Sequence, residues 1–264
     1  MTHDLLLPEH VSHYTSIAGL IGIMKSSALW ATHITQLNDP NENQTAVGVL
    51  EKVHAIDEQL YVQTYKVRDR DDLFVSSLSA AQDHLGMWRP YNSRIEIVFN
   101  TERLVATVEE LNRDVGARFA QTSYEEIDLE ERLSTLLAPD STDPAGPYEV
   151  AILAASHKSA HWSDEKEYRF VGLVHSHDGG REAARVQFRE GEVGLSPYIE
   201  LLLSPRGPNG QPLNPLPFDL ISEIRVGPKG DQNALVRALE VVANQHLSPE
   251  GDSWPITRSE QSYR

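Results

Sequence analysis

Short apolar runs closed off by turn formers dominate this chain, and that pattern excludes a helical bundle. Strand patterns fall at Val11 to Thr15, Ala28 to Ala31, Leu73 to Ser79, Ile95 to Phe99, Tyr148 to Ala154, Glu167 to Val174, Ala184 to Arg189, Ile199 to Leu203 and Ile221 to Val226. Between them the helical spacing predicts a helix after Ser16, with Ile17, Leu20, Ile21 and Met24 on one stripe. Further helices are expected over 44–66, Gln82 to Trp88, Thr101 to Phe119, Ile127 to Leu137 and Asn233 to Leu247. Strands and helices mix without a regular β-α-β alternation. The expected class is therefore α+β, with a split or bent, mainly antiparallel sheet and flanking helices. A single domain over 1–248 accommodates all of this, with a helical insertion at about 101–147 and a loosely ordered polar tail over 249–264.

Composition narrows the function. The chain has 264 residues, 40% of them hydrophobic and 23% charged, which is enough apolar surface to build a core. Lys and Arg number 23 against 39 Asp and Glu, a formal charge of −16. Such a balance disfavours wrapping duplex nucleic acid or adhering to an anionic membrane, and leaves only a local basic stretch at Lys66, Arg68 and Arg70 for nucleic acid. Cysteine is absent, so thiol nucleophiles, thiolate metal sites and disulfides are all excluded. The opening MTHDLLLPEHVSHYTS has neither a basic n-region nor a continuous apolar core, and no apolar run reaches the ~18 residues of a membrane span. A cytoplasmic protein without membrane contact is expected. No G-x-S-x-G, Walker A or G-x-G-x-x-G occurs, and the histidines at 157, 161, 175 and 177 lack zinc-ligand spacing, so no metal site is expected.

Four segments have residue types suited to chemistry. Ser12-His13-Tyr14-Thr15 lies just before a helix start, where unpaired N–H groups favour an anion or a ribose; Ser16 as a plain cap is the bland alternative. Leu37-Asn38-Asp39-Pro40 with Glu42 offers oxygen ligands but too few for a calcium shell, and reads as a turn. Ser77 and Ser79 share one face of a strand, and Trp88 and Tyr91 follow, so hydroxyls and aromatic walls can line a cleft for a flat ligand, or Trp88 can simply fill the core. In Trp162-Ser163-Asp164-Glu165-Lys166-Glu167-Tyr168-Arg169, strand spacing puts Glu165, Glu167 and Arg169 on one side. Paired carboxylates suit glycosidic chemistry, and an edge-strand charge ladder is the competing explanation.

Taken in order, HYTS with Leu29-Trp30, QLNDPNE, FVSSLS with GMWRPY, WSDEKEYRF and ISEIRVGP resemble a bacterial family, domain of unknown function 2971. That family looks like a distant branch of the ADP-ribosyltransferase superfamily. The resemblance implies a split α+β sheet that binds NAD as a substrate. It implies that His13, with Tyr14 and Thr15 beside it, holds a ribose hydroxyl. It further implies that Ser77 or Ser79 and Trp88 or Tyr91 flank the nicotinamide, and that Glu165 or Glu167 is the catalytic carboxylate. The activity implied is cleavage of the nicotinamide glycosidic bond with transfer of ADP-ribose to a protein or nucleic-acid acceptor, as in a toxin or defence effector. An NAD glycohydrolase, or a non-catalytic binding module on the same fold, are the alternatives.

Overall fold

The computed structural model describes residues 7–37, 71–89, 93–136, 147–175, 184–191, 194–214, 216–244, 251 and 253–262. Its strands are β1 (His10–Thr15), β2 (Ala28–His33), β3 (Asp71–Ser79), β4 (Ile95–Asn100), β5 (Arg118–Gln121), β6 (Glu167–His175), β7 (Gln187–Gly191), β8 (Gly194–Leu202), β9 (Ile221–Val226) and β10 (Ile256–Arg258). Its helices are α1 (Ile17–Ser26), α2 (Leu85–Trp88), α3 (Thr101–Leu111), α4 (Glu126–Leu136), α5 (Pro147–Ala155) and α6 (Gln232–Ala243). The strands form one open sheet in which only the β9–β10 pairing is parallel. The fold is mixed α/β with a mostly antiparallel sheet, as the sequence pattern predicts.

Strand β3 is the branch point. Along one side it pairs with β6 over its whole length, from Asp71↔His175 to Ser79↔Glu167. Along the other it meets β1 only at Ser12↔Ser79, and β2 only at Thr32↔Val75 and His33↔Phe74. Between those contacts, Ser76 to Leu78 have no strand paired to them along this second edge. One limb of the sheet continues β1-β4-β9-β10 and the other β2-β8-β7, so the sheet opens in the middle of β3.

Side-chain alternation distributes the core over both faces. Phe170 and Val174 of β6 join the main cluster with Leu20, Ile23 and Met24 of α1, Leu104 and Val108 of α3, and Val236 and Leu239 of α6. Val171 and Leu173 point the other way and meet Ala151 and Ala155 of α5, with Leu73 and Val75 of β3.

Several elements differ from the sequence expectations. The run at Tyr148 to Ala154 is helix α5 and not a strand: short apolar runs are ambiguous, and here Pro147 suits a first helical position while Ala151, Ala154 and Ala155 favour helix. The helix expected to reach Phe119 stops at Leu111, because the buried Asn112 turns its side chain back onto the Val108 carbonyl and Gly116 adopts φ 54°. The chain then returns as β5 on the edge of β6, so the segment 101–147 is not purely helical. Helix α2 is confined to Leu85–Trp88. The expected helix over 44–66, the basic stretch at 66–70 and the Asn38 to Glu42 turn lie outside the described residues.

The tail expected to be loose is a structural element. Trp254 is 1% exposed, donates Nε1 to the Phe218 carbonyl at 3.1 Å and stacks on the Phe218 ring. Ile256–Arg258 add to β9, and beyond them Ser259 donates to Asp83 while the Glu260 amide donates to Asp83 Oδ2 at 2.8 Å. An indole of this size buried at the end of the chain anchors the residues around it. Replacing Trp254 with Ala is expected to cost ~3–5 kcal/mol, read as a lowered urea midpoint with the slope unchanged.

Candidate active site

The opening in the sheet holds a cavity of about 540 Å³. Its walls come from the end of β1 and the start of α1, from the unpaired stretch of β3, from β2 with Arg189 of β7, and from the 3-10 turn Ala160–Glu165 with the start of β6. Because β1 and β2 diverge, side chains from both faces of the sheet reach this one space.

At its inner end two acids and two bases are packed together. Lys158 Nζ lies 2.7 Å from Glu165 Oε2 and 3.2 Å from Glu167 Oε2. Arg169 Nε and Nη2 donate to the two oxygens of Glu167 at 2.9 and 3.0 Å, and its Nη1 donates to the Ala155 carbonyl at 2.6 Å. All four side chains are buried. Glu167 and Arg169 do share a strand face, as the spacing predicts. Glu165 arrives differently: it closes the 3-10 turn, and Lys166 at φ 43° reverses the chain between the two glutamates.

The two carboxyls are set apart by their surroundings. Burial works to raise Glu167, but Arg169, Lys158 and a hydrogen bond from Ser77 outweigh it and hold the carboxyl below its ordinary value. Burial raises Glu165 above its ordinary value, and Lys158 offsets this only in part. Glu167 is thus a fixed negative charge, and Glu165 is a more readily protonated neighbour.

His13 Nδ1 stands 3.2 Å from the Ser77 carbonyl, and burial keeps the ring below its ordinary value and hence neutral. A carbonyl can only accept, so Nδ1 carries the proton and Nε2 is left as an acceptor. Thr15 sits against α1 where Gly19 makes room; a Cβ there would fall 2.1 Å from Thr15 Oγ1. Ser16 caps α1 through the Gly19 amide at 3.0 Å.

Of the residues singled out by sequence, His13, Tyr14, Thr15, Ser77, Glu165 and Glu167 line the cavity together. Tyr14 does so with its hydroxyl committed elsewhere, donating to the Ala81 carbonyl at 2.7 Å and accepting from the His84 amide. Two expectations are corrected. Ser79 does not face the cavity, because β1 and β6 enclose it on both sides; its hydroxyl donates to the Glu165 carbonyl at 2.5 Å and steadies that turn. Trp88 is a core residue, 1% exposed, edge-on to Tyr14 and bonded through Nε1 to Asp83 at 3.1 Å. Gly227 is required for this seat, since a Cβ would lie 2.7 Å from the indole. Tyr91 lies outside the described residues.

Sequence reasoning missed Lys158, Arg189, Gln36 and, as wall residues, Trp30 and Trp162. Lys158 had no local signal, since it follows a helix mistaken for a strand. Trp30, beside Leu29, and Trp162 were visible only as parts of longer segments. Among the described residues no group of three or more His, Asp and Glu can hold a metal ion, and no helix is long and apolar enough to cross a membrane.

The chain matches no family model, no curated protein and no solved structure. The resemblance stated above therefore rests on its five segments.

The inner cluster sets a pH dependence of stability. An acid held below its ordinary value stabilises the folded state above that value and loses the contribution as pH falls through its folded pKa. Glu167→Gln is therefore expected to cost ~3–5 kcal/mol at pH 7, where it strands Arg169 and Lys158. That difference from the parent should shrink as pH falls below the ordinary value of 4.5, when Glu167 itself takes up a proton. Glu165 has the opposite sign, its ionisation costing stability as pH rises above 4.5. Urea titrations of parent and variant from pH 7 to pH 3 measure both trends.

Proposed function

We propose that this protein is an ADP-ribosyltransferase-like enzyme, with the split-sheet fold of that superfamily, which cleaves the nicotinamide glycosidic bond of NAD and passes ADP-ribose to a protein or nucleic-acid acceptor. The observation that carries the reading is the convergence of His13, Ser77, Glu165 and Glu167 on one cavity at the opening of the sheet. Those four come from three separate segments of the sequence, and the resemblance names them for this chemistry.

The chemistry suits the side chains. As the glycosidic C–N bond breaks, its electron pair leaves with nicotinamide, which departs as a neutral base and needs no acid. Positive charge builds on the ribose ring. Glu167, ionised and held rigidly by Arg169 and Ser77, stabilises that charge without reorganising. Glu165, with its raised pKa, is suited to take the proton of the incoming acceptor hydroxyl or amine. The neutral His13 presents Nε2 to a ribose hydroxyl. Water in place of the acceptor would make the same site an NAD glycohydrolase.

One observation favours a second reading. Both oxygens of Glu167 are engaged by cations, and Lys158 also holds Glu165. A module that binds a ligand without turnover would look the same.

Free nicotinamide released from NAD, followed by chromatography with and without cell lysate, decides between them. The parent protein is expected to release nicotinamide, and Glu165→Gln and Glu167→Gln to lower kcat by roughly 10²–10³ while KM changes little, because the carboxylates act on charge formed in the transition state. Circular dichroism of each variant checks that it is folded. Lysate-dependent release indicates transfer, and release without lysate indicates a glycohydrolase. No release in any condition leaves the binding module.

A further inference from the structure

The outer part of the cavity differs from the inner end. There Arg189 of β7 lies over the rings of Trp30 and Tyr198, its guanidinium carbon 5.1 and 5.8 Å from the two centroids. Trp30 and Tyr198 themselves pack at 4.9 Å. One amino group, Nη2, donates to Thr32 Oγ1 at 2.9 Å. Among the described residues no carboxylate pairs with it, although Asp and Glu outnumber Lys and Arg by 39 to 23 in this chain. Every other arginine or lysine lining the cavity is already matched to Glu165 or Glu167.

An arginine seated on two aromatic rings is oriented in advance. The two rings, with centroids only 4.9 Å apart, lie to one side of the guanidinium and leave the rest of the fork available to an oxyanion. The same cavity is lined by Ser16, Ala18 and Gly19 at the start of the ten-residue helix α1. No acidic residue occupies that first turn, so the positive end of the helix is not neutralised. Arg189 and the helix end approach from different elements. A carboxylate offers two coplanar oxygens, which one arginine fork satisfies, whereas a diphosphate offers oxygens in several directions and suits two separate donor sets.

We propose that Arg189, held on Trp30 and Tyr198, is the diphosphate-binding group of this cavity, and that the ligand is a nucleoside diphosphate or an ester of one. The proposal rests on the reading of the cavity as a nucleotide site but not on turnover. In it the four-charge cluster faces the sugar end of the ligand while Arg189 fixes the diphosphate. Among the described residues of the outer wall, nothing else supplies a full positive charge.

Calorimetric titration of the parent protein with ADP, adenosine and inorganic pyrophosphate tests it. ADP is expected to bind roughly ten- to a hundredfold more tightly than adenosine, with an affinity that falls as salt rises. Arg189→Gln should bring ADP down to the level of adenosine and leave adenosine unchanged. Arg189→Lys should give an intermediate loss, because it keeps the charge and removes the fork, and Trp30→Leu should weaken ADP by releasing the arginine. Circular dichroism confirms that each variant folds; should Arg189→Gln fail to fold, the Lys and Leu variants decide. Equal affinity for ADP and adenosine, or an ADP affinity unchanged in Arg189→Gln and Arg189→Lys, overturns the proposal. Nicotinamide release on the same samples separates the two readings. ADP binding through Arg189 without NAD cleavage leaves the subsite standing and removes the enzyme, and cleavage with kcat/KM unchanged in Arg189→Gln does the reverse.

Discussion

Everything at the candidate site follows from the unequal pairing of β3. A strand in a sheet interior has two edges to satisfy, and β3 satisfies one completely with β6 while sharing the other between β1 and β2. The two sharing strands lead into different limbs and cannot close over Ser76 to Leu78. That interval exposes Ser77, lets its carbonyl meet His13, and gives its hydroxyl access to Glu167. Had β1 paired along all of β3, the same residues would form an ordinary ladder and Ser77 would be as enclosed as Ser79.

An opened sheet is costly unless something holds its limbs, and two buried polar clusters lie beside the opening. On one side Lys158 and Arg169 tie the 3-10 turn to β6 and, through the Ala155 carbonyl, to the end of α5. On the other, Glu96 of β4 accepts from Ser12 at 2.7 Å, from the Asp83 amide and from Arg225 of β9 at 2.7 Å. Burial raises Glu96 above its ordinary value, and these donors offset the rise only in part. Asp83 in turn receives Trp88, Ser259 and the Glu260 amide, so the end of the chain is bonded to the loop that follows β3. Charged groups of this kind contribute more to a unique arrangement than to net stability, since each is desolvated at a cost of several kcal/mol.

Most strand positions were legible because most of the strands are apolar runs with turn formers at their ends; β5, RFAQ, and β10, ITR, are not, and no strand was expected there. The helix α1 was legible for a similar reason, its cap Ser16 and stripe being local. What escaped was whatever depends on contacts between distant segments. The Tyr148 to Ala154 run is apolar on more than one side, and the packing of α5 against Val75 and Val171 adds to Pro147 and the alanines in deciding for helix. The stop at Leu111 depends on Asn112 reaching the Leu202 backbone as well as its own helix. The tail reads as polar, yet Trp254, the pairing of Ile256–Arg258 with β9 and the Asp83 carboxylate hold its described residues in place.

The site was legible in the same uneven way. Residue type identified His13, Ser77 and the two glutamates, and spacing placed Glu167 with Arg169. Spacing could not separate Ser77 from Ser79, because both lie on one face of β3 and differ only in whether another strand runs alongside. Nor could it supply Lys158, whose importance comes from lying between two acids seven and nine residues further on. That lysine bears directly on the proposed reaction. A cation shared by both carboxylates lowers the field either can exert, so under that proposal a ligand that displaces Lys158 toward the Trp162 ring, already 4.8 Å from Nζ, would strengthen the negative charge facing the sugar.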